Sequence, residues 1–226
     1  MSFDCEFCKK SFSTERILIN HLCEPKRRWL NRDEQYVRMG FNAWLRWYEL
    51  TGTHRRKKKR TYEEFMTSKY YTAFTKFGKH VVATKLVNPP QFLDFVIKNG
   101  IKLDDWCKDS VYEHYVRDVC KREDIAVALE RMVHLMEKWA EENDEQWTDF
   151  FKKANPNQAI RWIKSGRISP WIIFNANTIS DLFDRMSEEQ ISIVENFIET
   201  PFWNLKMKRS PKDTKFVQET LEKYGI

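Results

Sequence analysis

The chain has 226 residues, with 39 Lys and Arg against 33 Asp and Glu, for a formal net charge of +6. No run approaches the 18 uninterrupted apolar residues of a membrane span, and the N-terminus carries no signal-peptide hydrophobic region. A soluble, cytoplasmic protein with no membrane partner is therefore expected. Aromatics make up 15 % of the residues, enough for a real core, and only six glycines argue against turn-rich β architecture.

Within the first two dozen residues, Cys5, Cys8, His21 and Cys23 form a C-x2-C-x12-H-x-C cluster. Two thiols two residues apart can bind one metal ion from a tight turn. A His and a Cys arriving from the end of a short helix can complete a tetrahedron around Zn²⁺. A redox CxxC is the other use of such a pair, but it opens a helix in a βαβ context, and nothing of that kind surrounds Cys5. His54 is the rival for the fourth ligand, far along the chain in a basic run. Four protein ligands leave no position for a reactive water, so the site reads as structural rather than catalytic.

Phe3, Phe12 and Leu18 sit where a small metal-stapled unit needs its core. Up to His21 the segment resembles the classical Cys-Cys-His-His zinc finger, which implies a ββα unit. It departs in having Cys as the last ligand, one residue after the His instead of three to five. That pairing needs the helix to unwind directly after His21, which Glu24-Pro25 favours because proline disfavours helix in the residue before it. The resemblance places the base-reading positions at Thr14, Arg16, Ile17 and Asn20. Arg16 and Asn20 have the two-pronged side chains that read guanine or adenine edges. Ile17 and the neighbouring Ile19 suit burial better, so the finger is expected to dock on the chain or a partner rather than read sequence alone.

Positive charge clusters outside the metal loop. Lys26-Arg27-Arg28 follows the finger, and Arg55-Arg56-Lys57-Lys58-Lys59-Arg60 follows Gly52. Both blocks are candidate phosphate contacts for DNA or RNA, whose binding would be strongly salt dependent. A weaker third cluster comprises Lys206, Lys208, Arg209 and Lys212. Exposed Trp29 or Trp47 would then stack on unpaired bases.

From Asn31 onward the chain reads as helices. The first, Asn31 to Leu50, turns Val37, Phe41, Trp44, Leu45 and Tyr48 to one face, with Trp47 off that face. Thr61-x-x-Glu64 is a capping box opening a helix through Phe65, Tyr70, Phe74, Phe77 and Val81. Asn88-Pro89-Pro90 leads into a short helix, Phe92 to Ile97, and another runs from Asp104 to Cys120. The clearest, Glu123 to Glu141, carries the stripe Ile125, Leu129, Met132, Val133, Met136 and Ala140, with His134 at its rim. Trp147 to Lys153 continues the helical run and Asn155-Pro156 restarts it, with a stop at Ser165-Gly166. Pro170 to Phe174 reads as a buried helical turn or a short strand, and Ser180–Met186, Ser187–Ile198 and Pro211–Tyr224 complete the set. Cys107 and Cys120 are expected as buried thiols. The expected architecture is all-α with a small N-terminal ββα zinc finger: residues 1–27 the finger, 28–60 a basic helix and linker, 61–226 a helical domain.

No phosphate-cradling glycine loop, nucleophile elbow or HExxH helix is present. Asp104-Asp105 and Glu141-Glu142-x-Asp144-Glu145 are carboxylate clusters of the kind a metal-dependent nuclease uses to hold Mg²⁺, but runs at helix ends are more often solvated. No enzyme is expected.

The order of finger, basic patch and Trp- and Tyr-rich helical body, with Arg27-Arg28-Trp29 and Ile168-Ser169-Pro170-Trp171, resembles uncharacterised proteins of large contractile-tailed bacteriophages. The helical C-terminal half is similar to phage helicase-loading proteins. The resemblance implies a role in phage DNA or RNA transactions in the host cytoplasm: replication, transcription or packaging. A protein–protein adaptor docking a polymerase, helicase or virion component is the alternative.

Overall fold

A computed structural model describes residues 2–52 and 60–226. The His54 rival and the basic residues Arg55, Arg56, Lys57, Lys58 and Lys59 lie outside the described residues. The described residues are all-α apart from one two-stranded antiparallel ribbon at the N-terminus. Their contacts gather into two compact units, Met1–Lys108 and Asp109–Ile226, a division that falls inside the segment 61–226.

In the first unit, strands β1 (Phe3–Asp4) and β2 (Ser11–Phe12) pair with Phe3 opposite Phe12, and helix α1 (Glu15–Asn20) follows. Thr14 caps α1 by accepting from the Ile17 amide at 3.3 Å. Helix α2 (Glu24–Leu30) starts one residue after Cys23, with Pro25 in its first turn, where a missing N–H leaves nothing unsatisfied. A 3₁₀ turn, Asn31–Asp33, separates α2 from α3 (Gln35–Thr51).

The capping residue Thr61 opens α4 (Tyr62–Thr67), accepting from the Glu64 amide. The single helix expected from Thr61 to Val81 is instead two: the chain breaks at Ser68 and resumes as α5 (Tyr71–Thr84). The break lets Phe65 and Phe74 both be buried against Trp44 and Trp47 of α3. Trp47, expected as an exposed stacking residue, packs on Tyr70 and Phe74.

Helices α3 and α5 meet backbone to backbone. A Cβ on Gly78 would lie 2.0 Å from the Tyr36 carbonyl oxygen, and one on Gly40 would lie 2.6 Å from that of Phe74. Both positions therefore need the absence of a side chain. Helix α6 (Pro89–Lys98), capped by Asn88, packs on α3, where Arg46 makes a two-pronged pair with Asp94 at 2.8 Å for each contact. Trp106, beyond a 3₁₀ turn at Leu103–Asp105, is buried against Phe74 and Phe77.

The second unit comprises α7 (Asp109–Cys120), α8 (Ile125–Asn143), α9 (Phe150–Lys153), α10 (Pro156–Lys164), α11 (Pro170–Ile173), α12 (Ile179–Phe183), α13 (Glu188–Ile198), α14 (Thr200–Arg209) and α15 (Pro211–Lys223). The Pro170 segment is a helical turn, with Trp171, Ile172 and Ile173 all buried. The Ser187–Gln190 box forms with both of its hydrogen bonds. Helix α8 buries Ala128, Leu129, Met132, Leu135, Met136 and Trp139, a face rotated from the expected stripe, while Val133 and Ala140 are half-buried. Helix α14 was not anticipated. Its Trp203 stacks edge-on against Trp171 and is its one buried residue.

Among the described residues, no helix is long and apolar enough to cross a membrane.

Candidate metal centre

The N-terminal ribbon exists to present two sulfurs. Cys5 leaves β1 and accepts the Lys9 amide on its carbonyl at 2.8 Å, while its own amide donates to the Lys10 carbonyl at 2.9 Å. The tight turn that results carries Lys9 at a φ of 58° and turns Cys8 back toward Cys5. After β2, the six residues of α1 carry the chain to His21, which leaves helical geometry at ψ 117°. Cys23 is extended as well, so the helix has already unwound at the His, which the one-residue spacing required.

These elements bring Cys5, Cys8, His21 and Cys23 together with their donor atoms all within 4.8 Å of one another. The Cys5 and Cys23 sulfurs are 3.8 Å apart, and Cys8 Sγ is 3.2 Å from His21 Nε2. A regular tetrahedron with metal–sulfur bonds of about 2.3 Å has sulfur–sulfur edges of about 3.8 Å. The Cys8–His21 edge is a few tenths of an ångström shorter than such a site would set. Three soft thiols and one imidazole gathered within 4.8 Å of one another are a donor set that suits Zn²⁺, so the residues fit that ion. Among the described residues this is the one such convergence of His, Cys, Asp or Glu groups.

The site tunes its thiols unequally. The Cys8 backbone amide, then that of Phe7, favours the Cys5 thiolate, and together they lower its pKa although burial opposes them. Burial raises Cys23, while the Lys26 amide in the first turn of α2 pulls it the other way. Cys107 and Cys120 stand apart from the cluster, and burial raises both thiols. That is the behaviour of inert packing residues.

The small core around the ligands is only partly covered. Phe3, Phe12 and Leu18 are half-buried, and the Phe12 ring lies 4.6 Å from the His21 imidazole. Ile17 and Ile19, which read as packing residues, are instead 49 % and 67 % exposed, and Leu22 is 60 % exposed. Asn20 turns its amide back to the Arg16 carbonyl at 3.0 Å, so of the two residues with base-reading side chains only Arg16 projects freely.

The basic block after the finger divides by task. Lys26 Nζ donates to the carbonyls of His21 at 3.1 Å and Ile19 at 3.4 Å, neutralising the end of α1. Arg28 lies over the Tyr71 ring and donates to Met66 O and Glu24, so it fastens α2 to its neighbours. Arg27 is exposed and pairs with Glu24. Arg60 stacks over the Tyr48 ring at 3.6 Å and faces Glu64 at 3.9 Å. Trp29, expected as an exposed stacking platform, is half-buried between Phe7 and Tyr62. In the second unit, Lys206 lies 4.9 Å from the ring centres of Trp171 and Trp203, while Lys208, Arg209 and Lys212 are exposed.

Carboxylates of the acidic clusters are paired with lysines. Asp105 pairs with Lys108, Glu142 with Lys138, and Glu145 with Lys153. No protein-family model, curated protein or solved structure matches this chain. The site therefore has to be read from its own geometry. Phe7, inside the CxxC turn, is the residue that sequence reasoning missed: its ring meets Trp29 at 6.4 Å.

Proposed function

We propose that this chain is a non-catalytic, zinc-bearing helical protein that associates with DNA or RNA through basic segments flanking a structural finger. The closed Cys5-Cys8-His21-Cys23 cluster carries this reading, because all four metal positions are protein ligands and its role is to hold a shape. That shape positions the exposed Arg16 and Arg27, and the sequence adds the cation run 55–60. Lys26, Arg28 and Arg60 support the surface from within rather than supplying free charge. The resemblance to phage proteins favours a place in replication, transcription or packaging.

The test is a salt titration of binding to single- and double-stranded DNA and RNA. Six phosphate contacts give a log–log slope of about −4 to −5. Neutralising residues 55–59 should flatten it, and absence of binding at low salt would overturn the reading. One observation favours the adaptor reading instead. Ile17, Ile19 and Leu22 leave apolar surface exposed on the finger, where a base-reading finger would carry polar groups.

A further inference from the structure

Cys23 holds two positions at once: it is the last donor of the metal cluster and the N-cap residue of α2. Helix α2 is fastened in two directions. Toward the finger, Lys26 reaches back to the His21 and Ile19 carbonyls, and Trp29 meets the Phe7 ring at 6.4 Å. Phe7 lies between Cys5 and Cys8, so its position is set by the turn that the two sulfurs close. Away from the finger, Trp29 meets Tyr62 of α4 at 6.2 Å, and the Tyr62 hydroxyl donates to the Arg28 carbonyl at 2.7 Å. Arg28 completes the attachment on Met66 O at 2.7 Å and on the Tyr71 ring of α5 at 4.3 Å. Tyr62 in turn packs on Phe41 and Phe65, inside the aromatic core.

A seven-residue helix is too short to persist by itself in water, so α2 depends on these two attachments. We propose that metal loading and the docking of α2 onto α4 and α5 are one cooperative step, with Trp29 as the coupling residue between the CxxC turn and Tyr62. The finger is then a metal-gated latch: loaded, it holds Arg28 and Trp29 against the helical body; emptied, it releases α2 while α3 and α5, joined at Gly40 and Gly78, stay folded. This inference rests on the zinc reading of the cluster.

Linkage makes the coupling measurable from both ends, since whatever metal does for docking, docking does for metal affinity. In the full chain, zinc affinity is read by chelator competition for the native protein, Trp29→Ala and Arg28→Gln. Neither substituted residue is a ligand. Trp29→Ala should weaken zinc binding on the order of 10-fold and Arg28→Gln by several-fold. In parallel, amide hydrogen exchange of the native chain is followed with zinc and after its removal by chelator. Exchange across 24–30 should accelerate at least ~10-fold on metal removal while amides of α5 keep their protection. Unchanged zinc affinity in both variants, unchanged exchange across 24–30, or equal loss of protection in α2 and α5 would each overturn the latch. Failure of the native chain to bind zinc at all would overturn the zinc reading itself, and the latch with it.

Discussion

Arg28 holds its guanidinium over the Tyr71 ring, 4.3 Å from the ring centre, across more than forty residues of intervening chain. Burial pushes the Tyr71 hydroxyl's pKa up, while the arginine's charge draws it down. The contact turns a residue of a basic run into a structural fastener. Arg28→Lys keeps the charge but loses the guanidinium's paired hydrogen bonds to Glu24 and Met66 O, which should cost about 1–2 kcal/mol in urea unfolding. Arg27→Ala, one residue away and solvent-facing, should change stability by less than about 0.5 kcal/mol. Equal effects of the two substitutions would contradict the division of labour between them.

Gly78 and Tyr36 set the second prediction. A methyl group at position 78 would collide with the Tyr36 carbonyl, a backbone atom that cannot rotate aside. Gly78→Ala must therefore push α5 away from α3 and loosen the aromatic layer around Phe74 and Trp44. Overpacking of this kind costs about 1–3 kcal/mol, and a backbone clash belongs at or above the upper end. Chemical denaturation of the intact chain, followed by exchange protection of α3 and α5, gives the measurement.

The ligands were legible in the sequence because the spacing of Cys5, Cys8, His21 and Cys23 reports local chain geometry, which short turns and one helical turn fix almost alone. Helices with strong caps, such as those opened by Asn88, Asn155 and Ser187, were equally legible. The break at Ser68 was not, because apolar periodicity runs through it from Phe65 to Phe74 and only tertiary packing divides the segment. Helix α14 was missed since Phe202, Trp203, Leu205 and Met207 lie around its circumference and show no single stripe. At the finger, β-branched Ile17 and Ile19 suggested burial, but six residues of helix offer one inward position, and Leu18 occupies it.

Arg46 and Asp94 predict an acid dependence. The guanidinium donates to both carboxylate oxygens and holds the Asp94 pKa below the usual carboxylate value, with burial opposing. A folded-state value below the unfolded one means the carboxylate binds its proton more readily when unfolded. The pair's stabilisation is thus fully present above the ordinary Asp range and is lost as pH falls through the depressed folded value. Asp94 is well exposed, so solvent screening limits the gain to about 0.5–1 kcal/mol. Asp94→Asn should lower stability by that amount at pH 7 and converge with the native chain at low pH. A constant difference at every pH would show that the pair acts through packing alone.

The exposed apolar residues of the finger separate structure from recognition. Ile17, Ile19 and Leu22 bury little within this chain, so replacing all three with Ser removes almost no folding contact. Unfolding stability should shift by less than about 0.5 kcal/mol per site, and zinc affinity should hold. Phe12→Ala is the contrasting change. It strips the ring that lies 4.6 Å from the His21 imidazole and should weaken zinc binding, because the small core orients that ligand. Cys23→Ala removes a donor outright and should weaken it further, whereas Cys107→Ala and Cys120→Ala should leave about one zinc per chain. If the triple Ser variant retained its fold, metal and nucleic-acid affinity but lost a protein partner recovered with the native chain, the finger's exterior would be assigned to protein docking and its basic flanks to phosphate. If it also lost nucleic-acid binding, the isoleucines would belong to the nucleic-acid surface, and the adaptor reading would lose the observation that favours it.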